Sequence, residues 1–75
     1  MERIKEILLE VNDNIDYENE SALISNGILD SVELVELVMK LEEEYGIEIP
    51  FDEISPDNFD SMEGIFHMIQ RIREQ

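Results

Sequence analysis

The sequence contains no cysteine and no tryptophan, only two prolines and three glycines, and a single histidine. Without cysteine the chain can form neither disulfide bonds nor zinc sites with sulfur ligands, and it has no thiolate nucleophile of its own. This absence fits a reducing compartment, and we expect a cytoplasmic protein. The histidine, His67, falls in the middle of a predicted helix with no cysteine to pair with, so we interpret it as a surface residue rather than a general base.

Basic residues are also scarce. Five Lys and Arg residues stand against 20 Asp and Glu residues, giving a formal net charge of −15. Nucleic acid and anionic membranes would repel such a chain, so we expect basic partners and no binding to nucleic acid. No run approaches the roughly 20 apolar residues of a membrane span, and the first 14 residues lack the apolar core of a signal peptide. We therefore expect no membrane insertion.

Hydrophobic residues make up 43% of the chain and recur with a helical period, so the chain should fold. Its length suits one domain over residues 1–75, and a domain this small has no room for a deep active-site cleft. Pairs of carboxylates are plentiful, but most are expected on solvated helix faces. We therefore predict a monomer that is not an enzyme.

Three stretches carry the apolar spacing of amphipathic helices, namely residues 2–12, 31–45 and 61–74. Gly46 provides a stop for the second stretch, and the pair Ser55-Pro56 offers an N-cap and a first helical residue for a short turn over residues 56–59. Residues 47–50 alternate like a strand but are too few to form a convincing one. The sequence thus predicts an all-α fold, a small four-helix bundle with three long helices and one short helix.

A long polar segment, residues 13–29, separates the first two long helices. It contains isolated apolar residues: Ile15, Tyr17, Leu23, Ile24, Ile28 and Leu29. We interpret it as an ordered loop pinned by these side chains, and a loop this long in a small domain is usually functional. An EF-hand starting at Asn12 fails, because Tyr17 stands where glycine is required and Leu23 where glutamate is required. No specific metal site is predicted, only weak binding of divalent cations to the acidic surface.

Ser31 lies in the segment GILDSVELVEL, residues 27–37, where it either caps the second long helix or is presented by it. A capping box needs Glu or Gln three residues after the cap; Leu34 stands there for Ser31, whereas Glu33 stands there for Asp30. With Asp30 as the cap, Ser31 is the first helical residue and its hydroxyl is free. A phosphate attached there would lie among unpaired N–H groups at the positive end of the helix dipole. Many helices begin in this way, so the pattern alone leaves modification open.

Apolar side chains continue from Ser31 along the same helix, outside its core stripe. We define the docking strip as Val32, Val35 and Met39, and the surrounding acidic residues are Glu33, Glu36, Glu42 and Glu43. The strip is either peripheral core packing or a surface for a partner, and the spacing favours neither. An apolar strip with a charged rim is how a helix binds a groove on another protein.

The run GILDSVELVELVMKLEEEYGIEIP, residues 27–50, closely resembles the acyl carrier proteins. Their recognition helix begins with an Asp-Ser-Leu motif, is rich in glutamate, and ends in a similar Gly-Ile-x-Ile-Pro segment; the rest of the chain is similar in layout. The resemblance implies that Ser31 carries 4′-phosphopantetheine, transferred from coenzyme A by a phosphopantetheinyl transferase that also recognises Asp30. It implies that the thiol of this arm holds acyl groups as thioesters, which accounts for the missing cysteine.

The resemblance also implies the partners and the residues that meet them. The partners would be acyl-processing synthases, transferases or ligases with basic docking surfaces. The residues at the matching positions are Val32, Glu33, Val35, Glu36, Met39 and Glu42. The implied function is the transport of acyl intermediates between enzymes of fatty acid or polyketide biosynthesis.

Two departures from the family pattern keep alternatives open. Val32 stands where the family usually has leucine, which shortens an apolar contact. The segment PFDEISPDNFDSMEGI, residues 50–65, is more similar to stand-alone carriers of other building blocks. The alternative function is therefore an aminoacyl, D-alanyl or peptidyl carrier protein loaded by an adenylating ligase.

Two alternatives from a different class also fit the composition. One is an acidic protein that covers a basic surface by charge alone, and the other is a divalent-ion binder.

Overall fold

The computed structural model describes residues 1–74. It contains four α-helices: α1, Glu2–Val11; α2, Ser31–Tyr45; α3, Pro56–Phe59; and α4, Met62–Arg73. No strand occurs in residues 1–74, so the predicted all-α fold with three long helices, one short helix and a long α1–α2 loop is confirmed. A 3₁₀ turn over Phe51–Glu53, between α2 and α3, was not predicted. None of the helices in the described part of the chain has the length and apolar content of a membrane span.

Helices α1 and α2 pack antiparallel. Three polar contacts join them in opposite order of residue number: Arg3 Nη2 to Glu44 Oε1 at 2.8 Å, Lys40 Nζ to Glu10 Oε1 at 3.3 Å, and Asn12 Nδ2 to Glu33 Oε2 at 3.0 Å. The end of α1 therefore lies beside the start of α2, which is the end that carries Ser31.

The core is a single cluster of hydrophobic side chains, to which the helices and the long loop all contribute. Its buried members are Ile4, Ile7, Leu8, Tyr17, Leu23, Leu29, Leu37, Leu41, Ile49, Phe59, Met62, Ile65, Met68 and Ile69. The predicted pinning of the loop is confirmed, since three of its apolar residues are buried and the other three pack against the cluster. Met68 of α4 is fully buried as well.

Tyr17 fixes the first half of the loop to the end of α1. Its ring is buried, and its hydroxyl lies 3.0 Å from the carbonyl oxygen of Leu8 and 2.6 Å from that of Asn12. The hydroxyl therefore donates at the end of α1, where the carbonyl of Leu8 also accepts the N–H of Asn12 and the carbonyl of Asn12 lies beyond the last backbone hydrogen bond of the helix. Burial raises the pKa of Tyr17 to about 12, because the charged phenolate is poorly solvated there.

Asp60 fixes the second half of the loop to the junction between α3 and α4. Its Oδ1 accepts hydrogen bonds from the backbone N–H groups of Ile24 and Ser25, each at 2.8 Å, and its Oδ2 accepts from the Ser25 hydroxyl at 2.6 Å. The backbone carbonyl of Asp60 also accepts from the N–H of Leu23 at 3.0 Å. The hydrogen bonds from Ser25 hold the pKa of the Asp60 carboxyl below its usual value.

The two serines that precede α3 and α4 behave differently. Ser61 caps α4, since its hydroxyl accepts from the N–H of Gly64 at 3.0 Å. Ser55 occupies the predicted N-cap position of α3, with Pro56 as the first helical residue, but its side chain makes no capping hydrogen bond. Gly64 also allows close packing, because a Cβ there would lie 2.9 Å from the carbonyl oxygen of Asn58.

Candidate functional site

A capping box starts α2. Asp30 has an extended backbone, and its Oδ1 accepts from the N–H of Glu33 at 2.8 Å. In return, Oε1 of Glu33 accepts from the N–H of Asp30 at 3.1 Å. The second carboxylate oxygen of Glu33 accepts from the side-chain amide of Asn12, which braces the box against α1. The predicted box is confirmed, and Asp30 is the residue that begins the helix.

Ser31 is the first residue of α2 and is exposed. Among residues 1–74 its hydroxyl has no hydrogen-bond partner, and neither do the N–H groups of Ser31 and Val32, because the carboxylate of Asp30 accepts only the N–H of Glu33. One free hydroxyl and two free amide donors thus face solvent at the positive end of the helix dipole. This donor set fits a phosphodiester attached at the hydroxyl, since amide N–H groups at a helix start stabilise phosphate oxygens.

The structure presents Ser31 without activating it. The neighbouring carboxylate of Asp30 accepts a backbone N–H in the capping box, and it forms no hydrogen bond with the Ser31 hydroxyl in the described residues. His67 lies exposed on α4, with its ring against the edge of Phe66 at a centroid distance of 5.7 Å. In residues 1–74 no group of three or more His, Asp or Glu side chains is placed to hold a metal ion.

The docking strip lies on the outer face of α2. Val32 is 75% exposed, Val35 58% and Met39 63%, whereas Leu37 and Leu41 on the opposite face are fully buried. Peripheral core packing therefore does not account for the strip. Together with Ser31, these side chains give α2 a continuous outward-facing apolar surface that starts at the serine.

The acidic residues around the strip differ in what their carboxylates do. Glu36 and Glu43 are exposed and form no ion pair within residues 1–74. Glu33 belongs to the capping box, and Oε2 of Glu42 accepts from the backbone N–H of Ile49 at 2.9 Å. Sequence reasoning placed all four on the rim and predicted the capping-box role of Glu33, but it missed that Glu42 also holds the backbone. The partners Asn12 and Ile49 carried no recognisable signal.

The basic residues leave the negative field of this face uncompensated. Four of the five form ion pairs with carboxylates elsewhere on the molecule: Arg3 with Glu6, Glu10 and Glu44, Lys5 with Glu18, Lys40 with Glu10, and Arg71 with Glu53. The fifth, Arg73, lies over the ring of Tyr45, 5.7 Å from its centroid. The outer face of α2 is therefore an apolar strip in a negative surround, which suits a basic partner.

Comparison with known proteins agrees with this geometry. The family described as "Phosphopantetheine attachment site" matches residues 2–64. An acyl carrier protein of Buchnera aphidicola subsp. Baizongia pistaciae is 42% identical over 53 residues, which cover 71% of this chain and 65% of that protein. An acyl carrier protein of Zymomonas mobilis subsp. mobilis is 46% identical over 56 residues, which cover 71% of this chain and 70% of that protein. No solved structure gives a significant match.

The match spans slightly less than two thirds of the Buchnera protein, and the family match includes both the long loop and all of α2. The resemblance seen in residues 27–50 is therefore confirmed for most of the chain. The chain belongs to the phosphopantetheine-attachment family and is a non-catalytic carrier protein of the acyl-carrier type, with phosphopantetheine as its cofactor.

Proposed function

We propose that Ser31 is the residue to which 4′-phosphopantetheine is attached. The observation that carries this proposal is the free, exposed hydroxyl of Ser31 at the first position of α2, left unengaged because Asp30 and Glu33 cap the helix. A phosphopantetheinyl transferase would transfer the arm from coenzyme A, and the N–H groups of Ser31 and Val32 would stabilise the resulting phosphodiester. The arm supplies the thiol that this cysteine-free chain lacks.

On this proposal the protein carries acyl intermediates as thioesters between enzymes of fatty acid or polyketide biosynthesis in the cytoplasm. The acyl carrier proteins among its relatives support the acyl cargo. The partners would be the transferase and acyl-processing synthases, transferases or ligases with basic docking surfaces. Such an enzyme must bring its active site to Ser31, so it must also cover the face of α2 that follows the serine.

The docking strip supports this way of binding. Its three apolar side chains are exposed on one face of a rigid helix, so a partner can bury them without rearranging the carrier. The exposed carboxylate of Glu36 would face Lys or Arg side chains at the rim, where charge raises the association rate more than the affinity. Asp30 lies beside Ser31 and would help the transferase to recognise the site.

Intact-mass measurement tests the proposal. The purified protein is incubated with coenzyme A and a broad-specificity phosphopantetheinyl transferase, together with the variants Ser31→Ala and Ser21→Ala. Ser21 is an exposed serine of the loop and serves as the matched control. We expect one phosphopantetheine on the wild type and on Ser21→Ala, and none on Ser31→Ala. An unchanged mass of the wild type, or modification of Ser31→Ala, would refute the proposal.

A second candidate is an aminoacyl, D-alanyl or peptidyl carrier protein loaded by an adenylating ligase. The segment of residues 50–65 keeps it open, because this segment resembles stand-alone carriers of aminoacyl, D-alanyl, peptide or polyketide building blocks more than carriers of fatty acid synthesis. Loading assays on the phosphopantetheine form separate the two. Loading from malonyl donors followed by chain extension supports the acyl carrier, whereas ATP-dependent charging with an amino acid supports the second candidate.

A further inference from the structure

Phe51 is the most exposed large hydrophobic side chain in the described residues. It follows Pro50, begins the 3₁₀ turn, and has 89% of its surface in contact with solvent. Single exposed apolar residues are ordinary, so exposure alone is no sign of a site. The position of Phe51 relative to α2 is what makes it informative.

The chain that leads to Phe51 runs back along α2. Gly46 ends the helix in the left-handed conformation, with φ 62°, and reverses the chain direction. The backbone N–H of Ile49 then donates to Oε2 of Glu42 at 2.9 Å, which holds Ile49 against the side chain of a residue about one helical turn before Gly46. Pro50 is extended, and Phe51 lies within about 7 Å of Ile49 because two residues reach no further.

Glu42 lies on the same side of α2 as the docking strip. It follows Val35 by seven residues and Met39 by three, and residues at these spacings share one helix face. The segment held by Glu42 therefore runs along the strip side of α2, whereas α1 packs on the side of Lys40 and Glu44. The chain therefore passes the strip side of α2 near Glu42, at the end of the strip furthest from Ser31, two residues before Phe51.

We infer that Phe51 extends the docking strip into one larger apolar surface that seats enzymes acting at Ser31, the phosphopantetheinyl transferase included. This inference rests on the proposed function. From Ser31 to Met39 the helix rises about 12 Å, and the patch of a standard interface is roughly 28 Å across, so one partner can cover both Ser31 and Phe51. A buried aromatic ring is a common anchor of such interfaces.

The charge around the ring selects the kind of partner. The side chains of Glu48 and Asp52, which flank the Pro50–Phe51 pair, are exposed, and the formal net charge of the chain is −15. A second copy of this chain or an anionic lipid surface would be repelled. The occupant is therefore a protein surface in which an apolar pocket for the ring lies between Lys or Arg side chains.

Transferase kinetics with the carrier as the varied substrate test this inference. The variants are Phe51→Ala, Phe51→Tyr, which keeps the ring, and Leu9→Ala, which removes an exposed apolar side chain of α1 as the matched control. We expect KM for Phe51→Ala to rise about tenfold with kcat nearly unchanged, and the other two variants to match the wild type. Because Phe51 is exposed, thermal melting of Phe51→Ala and Phe51→Tyr should match the wild type.

The failures of the two proposals can be told apart. If the wild type is modified and Phe51→Ala has the KM of the wild type, the inference about Phe51 is wrong while Ser31 remains the attachment residue. If the wild type is not modified at all, both proposals fail. If sedimentation shows a wild-type dimer that Phe51→Ala dissociates, the occupant is a second copy, which also overturns the inference.

Discussion

Asp30 and Glu33 each accept the backbone N–H of the other, at 2.8 and 3.1 Å, and so close the start of α2 without using the serine between them. Because of this division of roles, Ser31 contributes little to the fold and its hydroxyl is left for chemistry. The same relationship separates the capping role of Asp30 from its proposed role as a charge that the transferase recognises beside Ser31. Substitutions can test these roles independently.

Asp30→Ala removes both the cap and the charge, whereas Asp30→Asn keeps an acceptor oxygen and removes only the charge. We expect the free energy of unfolding to fall by about 1 kcal/mol in Asp30→Ala and to change little in Asp30→Asn, because Asn caps helices as well as Asp does. Urea denaturation measures this difference. If Asp30 also guides the transferase, both variants lose kcat/KM; a wild-type value in Asp30→Asn would show that the enzyme does not read the charge.

Tyr17→Phe removes the hydroxyl that donates to the end of α1. We expect the free energy of unfolding to fall by about 1 kcal/mol, because the carbonyl of Asn12 loses its donor in a partly buried place. Tyr45→Phe is the control, since the Tyr45 hydroxyl has no hydrogen-bond partner in residues 1–74. Equal stability of Tyr17→Phe and the wild type would mean that the ring alone pins the loop.

The pKa of Tyr17 adds an alkaline limit to stability. The folded-state pKa is raised to about 12, above the usual value of 10. The stability that comes from keeping the phenol neutral is therefore complete below pH 10 and is lost as the pH rises toward 12. Denaturation curves between pH 8 and 12 should show this loss in the wild type and a smaller loss in Tyr17→Phe. Curves that fall in parallel would assign the loss to other groups.

Asp60→Ala removes the carboxylate that holds Ile24 and Ser25. The melting temperature at pH 7 should fall, because the second half of the loop loses its anchor. The folded-state pKa of Asp60 is depressed, so its contribution is present above the usual pKa of 3.8 and is lost as the pH falls through the folded-state value. The difference in melting temperature between the wild type and Asp60→Ala should therefore become smaller below pH 3.8. Asp52→Ala, at an exposed position, is the control, and a difference that persists in acid would exclude the carboxylate as its cause.

Glu36 and Glu42 should respond differently to substitution, although both lie beside the docking strip. Glu36→Gln should slow association with the transferase at low salt and leave stability unchanged, because Glu36 is exposed. Glu42→Ala should also lower stability, because the N–H of Ile49 loses its acceptor, and Glu42→Gln should restore much of that stability. Identical melting of Glu42→Ala and Glu36→Gln would contradict the structural role of Glu42.

Local sequence patterns predicted the parts of the fold whose contacts join residues close in sequence. The box of Asp30 and Glu33 spans three residues, and the apolar stripes of the long helices repeat every three or four, so each could be predicted from a short window. The free hydroxyl of Ser31 could be predicted from the same short stretch of sequence, because it depends only on which residue caps α2. Exposure of Val35 and Met39 could not be decided in this way, since it depends on which face the other helices cover.

Contacts that are distant in sequence left no comparable pattern. The Asp60 carboxylate binds the loop 35 and 36 residues away, and nothing near Asp60 in the sequence distinguishes it from the other acids. The hydroxyl of Tyr17 and the carboxylate of Glu42 likewise act on backbone groups that only the folded chain brings within reach. A local pattern can also be present without its contact. Ser55 is a residue type that often caps helices and occupies the N-cap position of α3, but its side chain makes no capping hydrogen bond.

Fragmentation of the modified protein gives the most direct test of the site. After reaction with coenzyme A and the transferase, tandem mass spectrometry locates the phosphopantetheine among the five serines: Ser21, Ser25, Ser31, Ser55 and Ser61. The free hydroxyl of Ser31 at the start of α2 predicts that the whole mass increase lies on this residue. A mass increase on any other residue, with Ser31 unmodified, would contradict the assignment of Ser31 as the attachment residue.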